Sequence, residues 1–85
     1  MNKIYCIVLF FTNLIYGQNL KGIVVNSKNE PIVNCMVTLK LNTEIIDFTK
    51  TNENGFFEFE ELELKKYEVE FYKTNFERKN IFLNL

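Results

Sequence analysis

From residue 20 onward, apolar side chains recur at every second position, the period of a half-buried β-strand and not the 3.6 of a helix. Leu20, Gly22 and Val24 share one face of a first segment, with Lys21, Ile23 and Val25 on the other. Cys35, Val37, Leu39 and Leu41 alternate with Met36, Thr38, Lys40 and Asn42 in a second. A third, residues 45–51, sets Ile46 and Phe48 against Asp47 and Thr49. Phe57 and Phe59 then interleave with Glu58 and Glu60, and Tyr67, Val69 and Phe71 with Glu68 and Glu70; Phe76, Ile81 and Leu83 close the series. Such alternation gives each strand one dry and one wet face, so the apolar members are assigned to a core. No segment sustains a helical period, and residues 60–66 are too short and acidic for more than one helical turn.

Turns punctuate these segments. Residues 26–31 (Asn-Ser-Lys-Asn-Glu-Pro) form one by composition, and Asn52-Glu53-Asn54-Gly55 is the clearest in the chain. Short strands at this spacing predict an all-β antiparallel sandwich or barrel.

The start of the chain reads differently. Lys3 follows Met1 and Asn2, then comes the apolar run 4–11, extended by Leu14, Ile15 and Tyr16 and ending at Gly17-Gln18. A basic start, an apolar stretch and a small residue make the order of a secretory signal peptide. Asn13 interrupts the run, which is shorter than the ~20 apolar residues a spanning helix needs. Residues 1–17 are therefore expected to be a cleaved leader, and residues 18–85 the mature domain. Cys6 lies inside the apolar run and lacks the small-residue-then-Cys ending of a lipoprotein leader. Removing the leader leaves 68 of 85 residues, with nine cationic against eleven anionic side chains. Cys35 is then the only cysteine, and no disulfide is possible within the mature chain. A domain of that size buries only ~60% of its unfolded surface, so its core must be well made.

Composition narrows the chemistry. The chain has no histidine, which removes the usual general base, the usual zinc ligand and every Ser-His or Cys-His nucleophile pair. Lys and Arg are scattered among Glu residues with no one-signed basic stripe, so nucleic acid is not an expected partner. Asn52, Asn54 and Gly55 have part of the look of a calcium loop, but Lys50 stands where the first acidic ligand would be needed. Glu58, Glu60, Glu61 and Glu63 are the densest acidic cluster, and on an alternating strand they read as a solvated edge that discourages aggregation. Cys35 reads as a small buried hydrophobe. No catalytic, cofactor-binding or metal-ligating residue, and no cofactor, is expected.

Several blocks nevertheless fall in a known order. Residues 22–26 (Gly-Ile-Val-Val-Asn), Pro31-Ile32, Val37 and Leu39, residues 51–59 (Thr-Asn-Glu-Asn-Gly-Phe-Phe-Glu-Phe), Tyr67 to Val69, and Asn75-Phe76 together resemble the carboxypeptidase regulatory-like domain. The likeness covers about residues 20–83, and the Thr-Asn-x-x-Gly-x-Phe-x-Phe block is its most specific part. It implies a transthyretin-like (prealbumin-like) Greek-key β-sandwich of about seven strands. Where the family has glycine, this chain has Asn29, Asn34 and Asn75, the residue next most tolerant of positive φ. Asn52 replaces a usual Asp, and its side-chain oxygen is expected to close the turn before Gly55. Lys65 stands where the family often has glycine, so the turn before Tyr67 is expected to be built differently.

The resemblance implies a non-catalytic accessory module. The ring-opening hydrolase of the transthyretin-like group relies on His and Arg, and this chain has no His and only Arg78. In envelope proteins of the Bacteroidetes type, such domains often precede the plug of a TonB-dependent outer-membrane receptor. The first expectation is a free-standing exported interaction domain, soluble once mature, in the periplasm, at the outer membrane or at the cell surface. Its expected partner is another envelope protein. Two alternatives remain: the N-terminal piece of a TonB-dependent receptor, and a glycan-binding module using aromatics such as Phe56, Tyr72 and Phe82.

Overall fold

In the computed structural model, which describes residues 3–13 and 17–85, the alternating segments become strands of two stacked antiparallel sheets. The strands are β1 (Tyr5–Asn13), β2 (Gly17–Val25), β3 (Met36–Leu41), β4 (Glu44–Lys50), β5 (Phe56–Leu62), β6 (Lys66–Tyr72) and β7 (Lys79–Asn84). One sheet has the order β1-β2-β5 and the other β4-β3-β6-β7. The described residues contain no helix, and residues 60–66 continue β5 into a bend before β6.

The period-two pattern locates the core as expected. Leu20, Val24, Cys35, Val37, Leu39, Val69 and Phe71 are fully buried, and Phe57, Phe59 and Tyr67 are nearly so. Ile4, Ile32 and Leu62 complete the cluster, with Leu41, Phe76, Ile81 and Leu83 packed against it. Phe57 meets the edge of Phe71 at 5.6 Å between ring centroids, and Phe59 at 6.2 Å, so three rings interlock across the two sheets.

One face assignment is corrected. Ile46 and Phe48 were expected in the core, yet they are 47% and 64% exposed. The register of β4 puts Thr49 opposite Val37 and Asp47 opposite Leu39, on the inner face, while Phe48 lies opposite Thr38 on the outer face. Thr51 sets this register. Its hydroxyl donates to the Ile32 carbonyl at 2.6 Å and accepts the Cys35 N–H at 2.9 Å, in a buried position. With Thr51 held inward, alternation turns Lys50 and Phe48 outward. A bulge between Leu39 and Lys40 then places Ile45 opposite Lys40.

The turns follow local chemistry. Asn29, Asn34 and Asn75 adopt φ of 65°, 58° and 72°, the left-handed region in which glycine would otherwise serve. The Asn52 side-chain oxygen accepts the N–H groups of Asn54 and Phe56, and Gly55 returns its N–H to the Asn52 carbonyl at 2.9 Å. Gly55 has φ +73°, and a Cβ there would lie 2.5 Å from the Val24 carbonyl oxygen. Lys65 has no positive φ, so no glycine is needed; the Tyr67 hydroxyl instead spans the bend to the Glu63 carbonyl at 3.0 Å.

Two further differences concern strands. Asn42 is not the last residue of a strand but pairs with Thr43 in the two-residue turn between β3 and β4, both at positive φ (52° and 69°). The strand count after residue 17 is six, counting β2, and not about seven. The seventh strand of the molecule, β1, comes from the expected leader and pairs with β2 from Tyr5↔Val25 to Asn13↔Gly17. Its aromatic and β-branched residues suit a strand as well as an apolar leader. Met1, Asn2 and residues 14–16 of that leader lie outside the described residues.

Phe57→Ala or Phe59→Ala should cost about 3–5 kcal/mol by emptying the ring cluster, read as a lowered denaturant midpoint. Thr43→Gly should act oppositely. Relieving a β-branched residue of positive φ is worth about 1 kcal/mol, which raises Tm by roughly 4–8 °C in a domain of this size. An unchanged or lower Tm would show that Thr43 carries no strain.

Candidate functional site

Many polar side chains of this sandwich are taken up by turns and by surface pairs. On the outer face of the four-stranded sheet, Glu70 sits between Lys40 (3.6 Å) and Arg78 (3.7 Å). Arg78 also lies over the Tyr72 ring at 4.6 Å, and Lys66 over Phe82 at 5.6 Å. Asn80 donates to the Glu68 carboxylate at 2.6 Å. These side chains alternate in sign across neighbouring strands, which knits the face together without gathering one charge in one place.

The acidic cluster does not converge. Glu58 pairs with Lys21 at 3.5 Å, Glu63 pairs with Lys65 at 2.9 Å, and Glu60 is exposed. Glu61 occupies a bulge of β5 at φ 56°, its N–H donated to the Asn19 side chain at 3.2 Å. Among the described residues no three acidic or sulfur-bearing side chains could hold a metal ion. Every described buried side-chain nitrogen and oxygen has a hydrogen-bond partner, so none is aimed into an empty pocket.

Cys35 is fully buried and free. Burial pushes its thiol pKa up, outweighing the opposing effects of the Tyr72 backbone and the Lys73 charge. The Tyr67 hydroxyl is also raised, first by burial and then by the Glu63 charge. A thiol held protonated is a poor nucleophile.

The aromatics named for glycan stacking are not brought together. Phe56 belongs to β5 in the three-stranded sheet, whereas Tyr72 and Phe82 lie on the outer face of the other. Phe82 stands opposite Glu68, four residues along β6 from Tyr72. What the residue pattern missed is the apolar margin at β4. Ile45, Ile46 and Phe48 are all exposed there, and only the long-range Thr51 contacts reveal their direction. The Phe48 N–H is capped by the Asp47 carboxylate at 2.8 Å.

Two stacked antiparallel sheets around one apolar core define a transthyretin-like sandwich. The family model of the carboxypeptidase regulatory-like domain matches residues 19–83, and the chain belongs to that family. Carboxypeptidase regulatory-like domains are non-catalytic β-sandwich domains. No curated protein and no solved structure matches the chain.

The Cys35 thiol should resist a disulfide reagent at pH 8 in the folded Cys6→Ser chain and react fully once unfolded. Because the folded pKa values of Cys35 and Tyr67 are raised, folding favours their protonated forms. The stability this contributes is complete below the unfolded thiol pKa of about 8.5 and is lost as pH climbs through the higher folded values. A Tm that holds steady from pH 8 to pH 11 would contradict this.

Proposed function

We propose that the chain is a non-catalytic interaction module, exported through its N-terminal leader and working in the bacterial cell envelope with another envelope protein. The observation that carries this reading is the conjunction of two parts. A basic start and apolar run occupy residues 3–16, and a domain of a non-catalytic family begins almost at once, at residue 19. The outer surface supports a binding role over a chemical one. It offers Ile45, Ile46 and Phe48 exposed along one margin, while Lys40, Glu70 and Arg78 are engaged with one another.

Cell fractionation with intact-mass measurement tests the reading. The expected product is found in the envelope or periplasmic fraction and begins at Gln18. A chain retained in the cytoplasm with Met1 or Asn2 at its start would overturn it. In the same cells, Phe48→Glu should reduce crosslinking of the domain to its envelope partner while leaving Tm within about 4 °C, because the ring is exposed and makes little folding contact.

A further inference from the structure

The exported reading has a consequence for β2. Strand β1, which supplies its outer partner, lies entirely within the leader expected to be removed. We propose that the processed domain accepts an extended segment of a partner protein in the place of β1, as an antiparallel strand along β2. The proposal rests on the export reading and deepens it.

The vacated edge is specific in its demands. Val24 donates its N–H to the Gly55 carbonyl and accepts from the Ile32 N–H, so it faces away from β1. By alternation the backbone groups of Ile23 and Val25 face β1, in register with Ile7 and Tyr5. Loss of β1 therefore leaves their donors and acceptors in need of a strand. It also removes Ile4, a core residue only 2% exposed that packs in the cluster with Leu20 and Val24. The occupant must then be extended, antiparallel and apolar at alternate positions, with one apolar residue just beyond the partner of Val25 to fill the place of Ile4.

A folded second copy does not meet these terms. The inward side chains of its strands are committed to its own core, so its edges can give backbone pairing but nothing to replace Ile4. The β4 edge is ill suited to pairing, since Asp47 already caps the outward Phe48 N–H. A free segment of a different protein supplies both the ladder and the side chain.

The test uses the processed chain recovered from export and, as probe, a synthetic peptide of residues 3–13 carrying C6S and a C-terminal lysine tail. Amide hydrogen exchange at Ile23 and Val25 is followed with and without peptide. The expected result is a monomer whose Ile23 and Val25 amides exchange readily and slow at least roughly tenfold on adding peptide. The same peptide with I4D or I7P should protect neither. A processed chain that is unfolded alone and folds with the parent peptide supports the proposal equally. Three results would overturn it: slow exchange at both amides in the peptide-free monomer, protection found only in a dimer, or no response to the parent peptide. If the mass shows the leader retained, the export reading itself falls, and β1 is the permanent partner of β2.

Discussion

The Thr51 hydroxyl is the contact on which the arrangement of both sheets turns. Buried beside Cys35, it donates to the Ile32 carbonyl and accepts the Cys35 N–H, while its own N–H goes to the Cys35 carbonyl and its carbonyl accepts from Asn34. One residue thus ties the end of β4 to the start of β3 and to the loop that leaves β2. The next turn closes the circuit. The Gly55 carbonyl accepts from Val24, whose carbonyl accepts from Ile32, and only a glycine can lie this close to the Val24 oxygen. Groups of this kind cannot be released singly, because each would leave a buried backbone partner unsatisfied at a cost of about 1–3 kcal/mol.

How much of this the sequence discloses depends on how local the cause is. Asn29, Asn34 and Asn75 are legible because a residue tolerant of positive φ announces its own backbone state. Asn52 is legible for the same reason, since its side chain bonds within four residues of itself. The core faces of β5 and β6 are legible because their apolar residues alternate with Glu. The direction of Phe48 is not, because alternation states that two faces exist without saying which is dry. That choice is made by Thr51 through partners 16 and 19 residues away. The bulge at Glu61 is hidden likewise, its Asn19 partner lying 42 residues back in the chain. The turn at Asn42 and Thr43 is obscured by a β-branched residue where glycine would have marked it.

The candidate site shows the same division. Lack of histidine bounds the chemistry from composition, and the buried Cys35 is placed where a small hydrophobe was anticipated. Aromatic residues, by contrast, cannot be sorted into platforms without topology. Phe56, Tyr72 and Phe82 resemble one another in sequence but are divided between two sheets, and Tyr72 and Phe82 are each covered by a cation. An aromatic face under a guanidinium or ammonium is already engaged, which leaves aliphatic and backbone contacts as the more available means of recognition.

Those two means are separated in the molecule. The β4 margin exposes Ile45 and Phe48 while Asp47 takes up the Phe48 N–H, so it presents apolar side chains with a blunted ladder. Along β2 the balance is reversed. Its inward side chains, Leu20 and Val24, are sealed in the core, and the side away from β5 is a backbone ladder of nine residue pairs taken up by β1. Strand pairing is thus blunted at β4 and continues without a break from β2 to β1. That ladder admits one strand at a time, because each of Ile23 and Val25 has a single set of backbone hydrogen-bonding groups on that side, and in the structure β1 takes them.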